Sequence, residues 1–148
     1  MYWIDFPPAW TFYGLLSAWG LSRVEPVWLG FGPYHVALGG IVFLVGLGLM
    51  LWASATMLRH RTKVMPRQEA AALVTDGPFR FSRNPIYLGD LLLLASGALV
   101  FDAPLALLLV PVLAAILQRR FIRPEETMLR RGFGAAFEDW AARTRRWL

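Results

Sequence analysis

The stretch Gly77-Pro78-Phe79-Arg80-Phe81-Ser82-Arg83-Asn84-Pro85-Ile86-Tyr87-Leu88-Gly89-Asp90 is a basic, polar turn that gives way at Pro85 to a long apolar run. Proline fixes its own φ and pushes the residue before it toward extended backbone, so Gly77 and Asn84 bracket a short, stiff connection. Pro85 then suits the first position of a helix, where a missing N–H costs little. Two arginines, an asparagine and a tyrosine at the mouth of an apolar segment are expensive to keep there without a purpose. This turn is the first place to look for a site.

Working outward, the whole chain has the balance of a membrane protein. Its 148 residues are 57% hydrophobic and only 17% charged, which fits one domain embedded in lipid better than a soluble one. With no cysteine, disulfides, thiolate metal sites and cysteine catalysis are excluded, and His35 and His60 fall in different segments, so no metal site is expected. The net charge of +5 does not point to nucleic acid, because the basic residues flank apolar runs as expected beside anionic headgroups. Met1 to Gly20 carries no basic leader and no small-residue cleavage pattern, so it does not read as a removable signal peptide.

On the N-terminal side, Phe6 to Leu21 is apolar and aromatic, opens with Pro7-Pro8 and closes near Gly20. It is close to the shortest helix that crosses a bilayer, and an interfacial helix is the alternative. A loop rich in Gly, Pro and Trp follows from Arg23 to Tyr34, and Val36 to Leu58 is an uncharged run long enough to span. Its four glycines are expected to let a neighbouring helix approach closely. Beyond the turn, Ile86 to Phe101 and Ala103 to Leu117 are separated by Asp102 and Pro104. They are expected to form a tight helical hairpin, kinked at Pro111.

From Pro124 to Leu148 the chain is too polar to span. Leu129, Phe133, Phe137, Trp140, Thr144 and Trp147 recur at helical spacing among arginines, predicting an amphipathic tail in two short helices, interrupted near Gly132 and Gly134. The fold class expected is therefore all-α: a membrane helical bundle of about four transmembrane helices plus that tail. It is a single domain divided into 1–58, the motif loop 59–85, the hairpin 86–122 and the tail 123–148. If four runs cross, every basic residue except Arg23 falls on one side. The positive-inside bias makes that side cytoplasmic and puts both termini and the motif turn there.

On that face Arg80, Arg83, Asn84 and Tyr87 can meet Glu125 and Glu126. The two glutamates also suit the first turn of a helix opened by Pro124, where carboxylates are favourable. Asp90 would lie about one turn inside the apolar run. It is either a functional carboxylate or a charge at headgroup level paired with Arg83 or Arg80.

The motif Gly77-Pro78-Phe79-Arg80-Phe81-Ser82-Arg83-Asn84-Pro85-x-Tyr87-x-Gly89, followed by Glu125-Glu126-x-x-Leu129-x-x-x-Phe133-Gly134-x-x-Phe137-x-x-Trp140, resembles the isoprenylcysteine carboxyl methyltransferase family. The wider group includes the phospholipid N-methyltransferases. The resemblance covers roughly residues 73 to 148. It implies an integral membrane enzyme that moves a methyl group from S-adenosylmethionine to a lipid-like acceptor. By position, Arg83, Asn84, Pro85, Tyr87, Leu88 and Gly89 would line the cofactor pocket, and Glu125 with Glu126 would complete it. Arg83, Asn84, Glu125 and Glu126 would be nearest the chemistry. Asp90, Arg80, Phe137 and Trp140 would serve the substrate or support the pocket, with Phe133, Phe137 or Trp140 giving an aromatic wall for adenine. Relatives often carry His at the position of Asn84, so a hydrogen-bonding role is implied here. Phe137 and Trp140 stand where tyrosines are commoner. The acceptor, a carboxylate, an amine or a thiol, and the oligomeric state are left open.

Two other classes compete. Arg83 to Asp90 also resembles the corresponding turn of membrane sterol reductases, which use NADPH, although those chains are much longer. A lipid-binding scaffold without enzymatic activity would explain the charges, but not the spacing from Gly77 to Gly89.

Overall fold

The computed structural model describes residues 6–62 and 71–148, and Lys63 and Arg67 of the central connection lie outside the described residues. Among the described residues the ordered elements are all helical, with no strand. Helix α1 runs Pro7–Ser22, with its two prolines in the first turn, and α2 runs His35–Arg59. The motif turn opens with a 3-10 segment, Gly77–Arg80. Helix α3, Pro85–Val100, starts with Pro85 in its first turn as the sequence requires.

Helix α3 is the centre of the bundle, with α1 and α2 both packed against it. Helices α2 and α3 approach closely where glycine faces glycine. A Cβ on Gly46 would lie 3.2 Å from the Gly89 carbonyl oxygen, and one on Gly89 would lie 3.0 Å from that of Gly46 and would collide with Met50. Gly40 and Gly48, by contrast, face open space, so only part of the glycine pattern serves packing.

The expected hairpin turns at Phe101–Ala103, where Asp102 takes a left-handed φ of 53°. Its second arm differs from the expectation. A 3-10 segment, Pro104–Leu108, leads into α4, Leu109–Leu117, so Pro111 falls in the first turn of α4, where α-helical N–H groups have no partner to lose. The helix then continues through one wide π-type turn, Gln118–Ile122, into α5, Arg123–Phe133. In that turn the Arg123 N–H reaches back five residues to Gln118. The wide turn admits Pro124 inside a helix that would otherwise clash with its ring. Pro124 therefore does not start a separate tail, and Glu125 and Glu126 ride on an extension of the hairpin. The interruption comes at Gly134, with φ +51°, before α6, Ala135–Arg143; Gly132 lies within α5.

Among the described residues, two stretches are long and apolar enough to cross a membrane: α2, 25 residues, and the 30-residue run Pro104–Phe133. Only 17% of the most apolar part of α2 is buried. Ile41, Leu44, Val45, Leu51 and Trp52 point outward, which suits lipid and not water. Helices α1 and α3 have 16 residues each, about 24 Å at 1.5 Å per residue. At the end far from the motif turn, Asp102 accepts the Phe31 N–H at 2.7 Å, and His35 Nδ1 lies 2.9 Å from the Leu99 carbonyl oxygen. These bonds close the loops there and leave the motif end as the place where the bundle opens.

Candidate functional site

At the motif end the helices enclose a cavity of about 920 Å³. Arg83, Asn84, Pro85, Tyr87 and Asp90 enter it from the motif turn and α3; Glu125, Glu126, Leu129 and Phe133 from α5; Trp140 from α6. A pocket of this size holds a drug-sized ligand.

Its polar wall is built from ion pairs. Glu126 Oε1 lies 3.1 Å from Arg83 Nη2, while Arg146 grips both oxygens, Nε to Oε1 at 3.0 Å and Nη2 to Oε2 at 2.6 Å. That hydrogen bond to Glu126 holds the Arg146 guanidinium above the usual arginine range. Arg83 also donates to the Ala141 carbonyl oxygen at 2.9 Å, but its Nε is buried with no hydrogen-bond partner among the described residues. Tyr87 donates its hydroxyl to Glu125 Oε1 at 2.7 Å.

The C-terminal segment ties the motif turn in place through its backbone. The Arg145 carbonyl oxygen accepts the Arg83 N–H at 2.9 Å, and that of Arg146 accepts Asn84 Nδ2 at 3.0 Å and the Ser82 hydroxyl at 3.3 Å. Trp147 reaches Gln118 at the π-type turn with an N–H···O contact of 3.2 Å. Asn84, 9% exposed, thus spends one amide hydrogen on the chain itself.

Most of the sequence candidates converge here, but four do not reach the cavity wall. Arg80 is exposed, because the 3-10 turn points it outward. Gly89 is turned toward α2, where Met50 covers it. Leu88, partly buried, is not among the lining residues. Phe137 is buried at 1% in a cluster with Ala53, Val74, Phe79 and Trp140, whose indole N–H is held by the Phe79 carbonyl oxygen at 3.1 Å. Asp90 does not pair with Arg83 or Arg80; its Oδ1 accepts the Thr11 hydroxyl at 3.0 Å.

Several contributors were not singled out from the sequence. Phe6, Pro7 and Pro8 of the α1 end, and Met50, Ser54 and Met57 of α2, add a mostly apolar lining to the cavity. They sit in apolar runs with no local signature. Arg146 was legible only as one more basic residue.

The family comparison places the chain in a class, the methyltransferase group that includes the isoprenylcysteine and phospholipid enzymes. The chain belongs to the phospholipid methyltransferase family, whose family model matches residues 34–136. Membership implies methyltransferase activity in a membrane. No curated protein and no solved structure matches the chain.

Proposed function

We propose that this protein transfers a methyl group from S-adenosylmethionine to a lipid-like acceptor, in a cavity whose polar mouth faces the cytoplasm. The observation that carries the reading is the meeting of Arg83, Tyr87, Glu125 and Glu126 on the wall of one cavity, from segments 38 or more residues apart.

The donor set fits the cofactor's chemistry. Arg83 has a buried Nε without a hydrogen-bond partner among the described residues, suited to a carboxylate. Glu125 carries negative charge for an ammonium. Leu129, Phe133 and Trp140 give an apolar and aromatic surface for a purine. When bound, the cofactor supplies an activated methyl group on a sulfonium centre. The chain's own task is to align donor and acceptor and to keep water out. The Glu126 pairs hold the α5 wall against the motif turn, and Tyr87 orients Glu125. Apolar residues of α1 and α2 form a side accessible to an acyl or prenyl chain.

The test is to reconstitute the protein in lipid vesicles with S-adenosylmethionine carrying a radiolabelled methyl group and to follow label into organic-extractable product. Labelled lipid that disappears with E126Q supports the reading. No transfer to any of prenylcysteine, aminolipid or thiol acceptors would oppose it.

A further inference from the structure

Of the carboxylates on the cavity wall, Asp90 stands apart. Glu126 is committed to two arginines and Glu125 to Tyr87. Asp90 is 2% exposed, with Oδ1 held by Thr11 and Oδ2 buried without a hydrogen-bond partner among the described residues. A buried carboxylate oxygen without a partner is costly to maintain. Such an oxygen on a cavity wall marks a place where a donor from a ligand belongs.

Resting on the methyltransferase reading, we infer that Asp90 Oδ2, fixed through Thr11, binds the nucleophile-bearing end of the acceptor and selects an N–H donor, an amine or ammonium, over an anion. Thr11 lies on α1, outside the residues 34–136 that match the family model. The acceptor side of the cavity is therefore completed by a helix that the family match does not cover. The chemistry of the wall agrees with this assignment. Pro7, Pro8, Met50 and Ile86 line the same cavity, and an acceptor carboxylate placed at Asp90 Oδ2 would meet a like charge. An N–H donor there gains a charge-assisted hydrogen bond.

Calorimetry in phosphatidylcholine nanodiscs tests the assignment, first with S-adenosylhomocysteine and then, with it bound, with octylamine and with octanoate. The expected result is wild-type binding of octylamine at least about tenfold tighter than octanoate, as one hydrogen bond to a charged group requires. In D90N that preference should fall to about twofold or less with S-adenosylhomocysteine affinity unchanged. Thr11→Val keeps the carboxylate but releases Oδ1, and should weaken octylamine binding while Thr11→Ser restores it. Equal binding of the two amphiphiles, a preference for octanoate, or a preference that survives D90N would overturn the assignment of Asp90. If D90N does not fold, the wild-type preference and the Thr11 pair still decide. Failure of the wild type to bind S-adenosylhomocysteine would instead overturn the cofactor reading, and this inference with it.

Discussion

Glu126 on α5 bridges Arg83 of the motif turn and Arg146 of the C-terminal segment, at 3.1 and 2.6 Å. One carboxylate thus joins three parts of the chain that are far apart in sequence. Removing its charge leaves two guanidinium groups without their counter-ion. Glu126 and Arg83 are largely buried and Arg146 is one-third exposed on its side chain, so the cost is discounted for solvent on that side. E126Q should lower stability by about 2–3 kcal/mol and increase proteolytic cleavage after Arg146, measured by thermal melting in detergent and by mass spectrometry of limited digests. Unchanged melting and cleavage would show that the bridge does not hold the site.

Four glycines of α2 and α3 are predicted to divide into two groups. Ala at Gly46 or Gly89 must push apart two backbones already in contact, and each should cost about 1–3 kcal/mol. At Gly40 and Gly48 nothing lies within 4 Å of the added methyl, so Ala there should be neutral or gain up to about 1 kcal/mol of helix propensity. Melting temperatures of the four variants test the difference.

Tyr87→Phe removes only the hydroxyl that holds Glu125. Under the proposed function, affinity for S-adenosylmethionine should fall about tenfold, the worth of one hydrogen bond to a charged group, while the fold, with Tyr87 packed near Phe121, is kept. Calorimetry combined with a melt separates the two effects.

Truncation after Thr144 removes the carbonyl oxygens that receive Arg83, Asn84 and Ser82, together with Arg146. The truncated chain should keep its helical content by circular dichroism and lose saturable cofactor binding. Retained binding would mean that the motif turn holds its shape unaided.

Much of this architecture is legible in the sequence because it obeys local rules. Pro85 marks the start of α3, the charge-free run marks α2, and Gly134 marks the break before α6. Pro124 misleads, because a proline after a polar turn reads as a helix start, whereas the wide turn at Gln118–Ile122 carries the helix past it. The meeting of Glu125 with Tyr87 follows from the motif turn and the tail lying on one face of the bundle. Two features leave no such trace. The C-terminal ties to the motif turn use carbonyl oxygens, which every residue has, and the Thr11–Asp90 bond joins residues 79 apart across two helices whose apolar patterns do not say which faces touch.

The proposed methyl transfer requires a cofactor pocket formed by Arg83, Asn84, Tyr87, Glu125 and Glu126. Calorimetric titration of the purified protein with S-adenosylmethionine, S-adenosylhomocysteine and NADPH tests it most directly. Saturable binding of the first two, lost in Y87F combined with E126Q, and no heat from NADPH, is the predicted result. Binding of NADPH alone, or of none of the three, would contradict it.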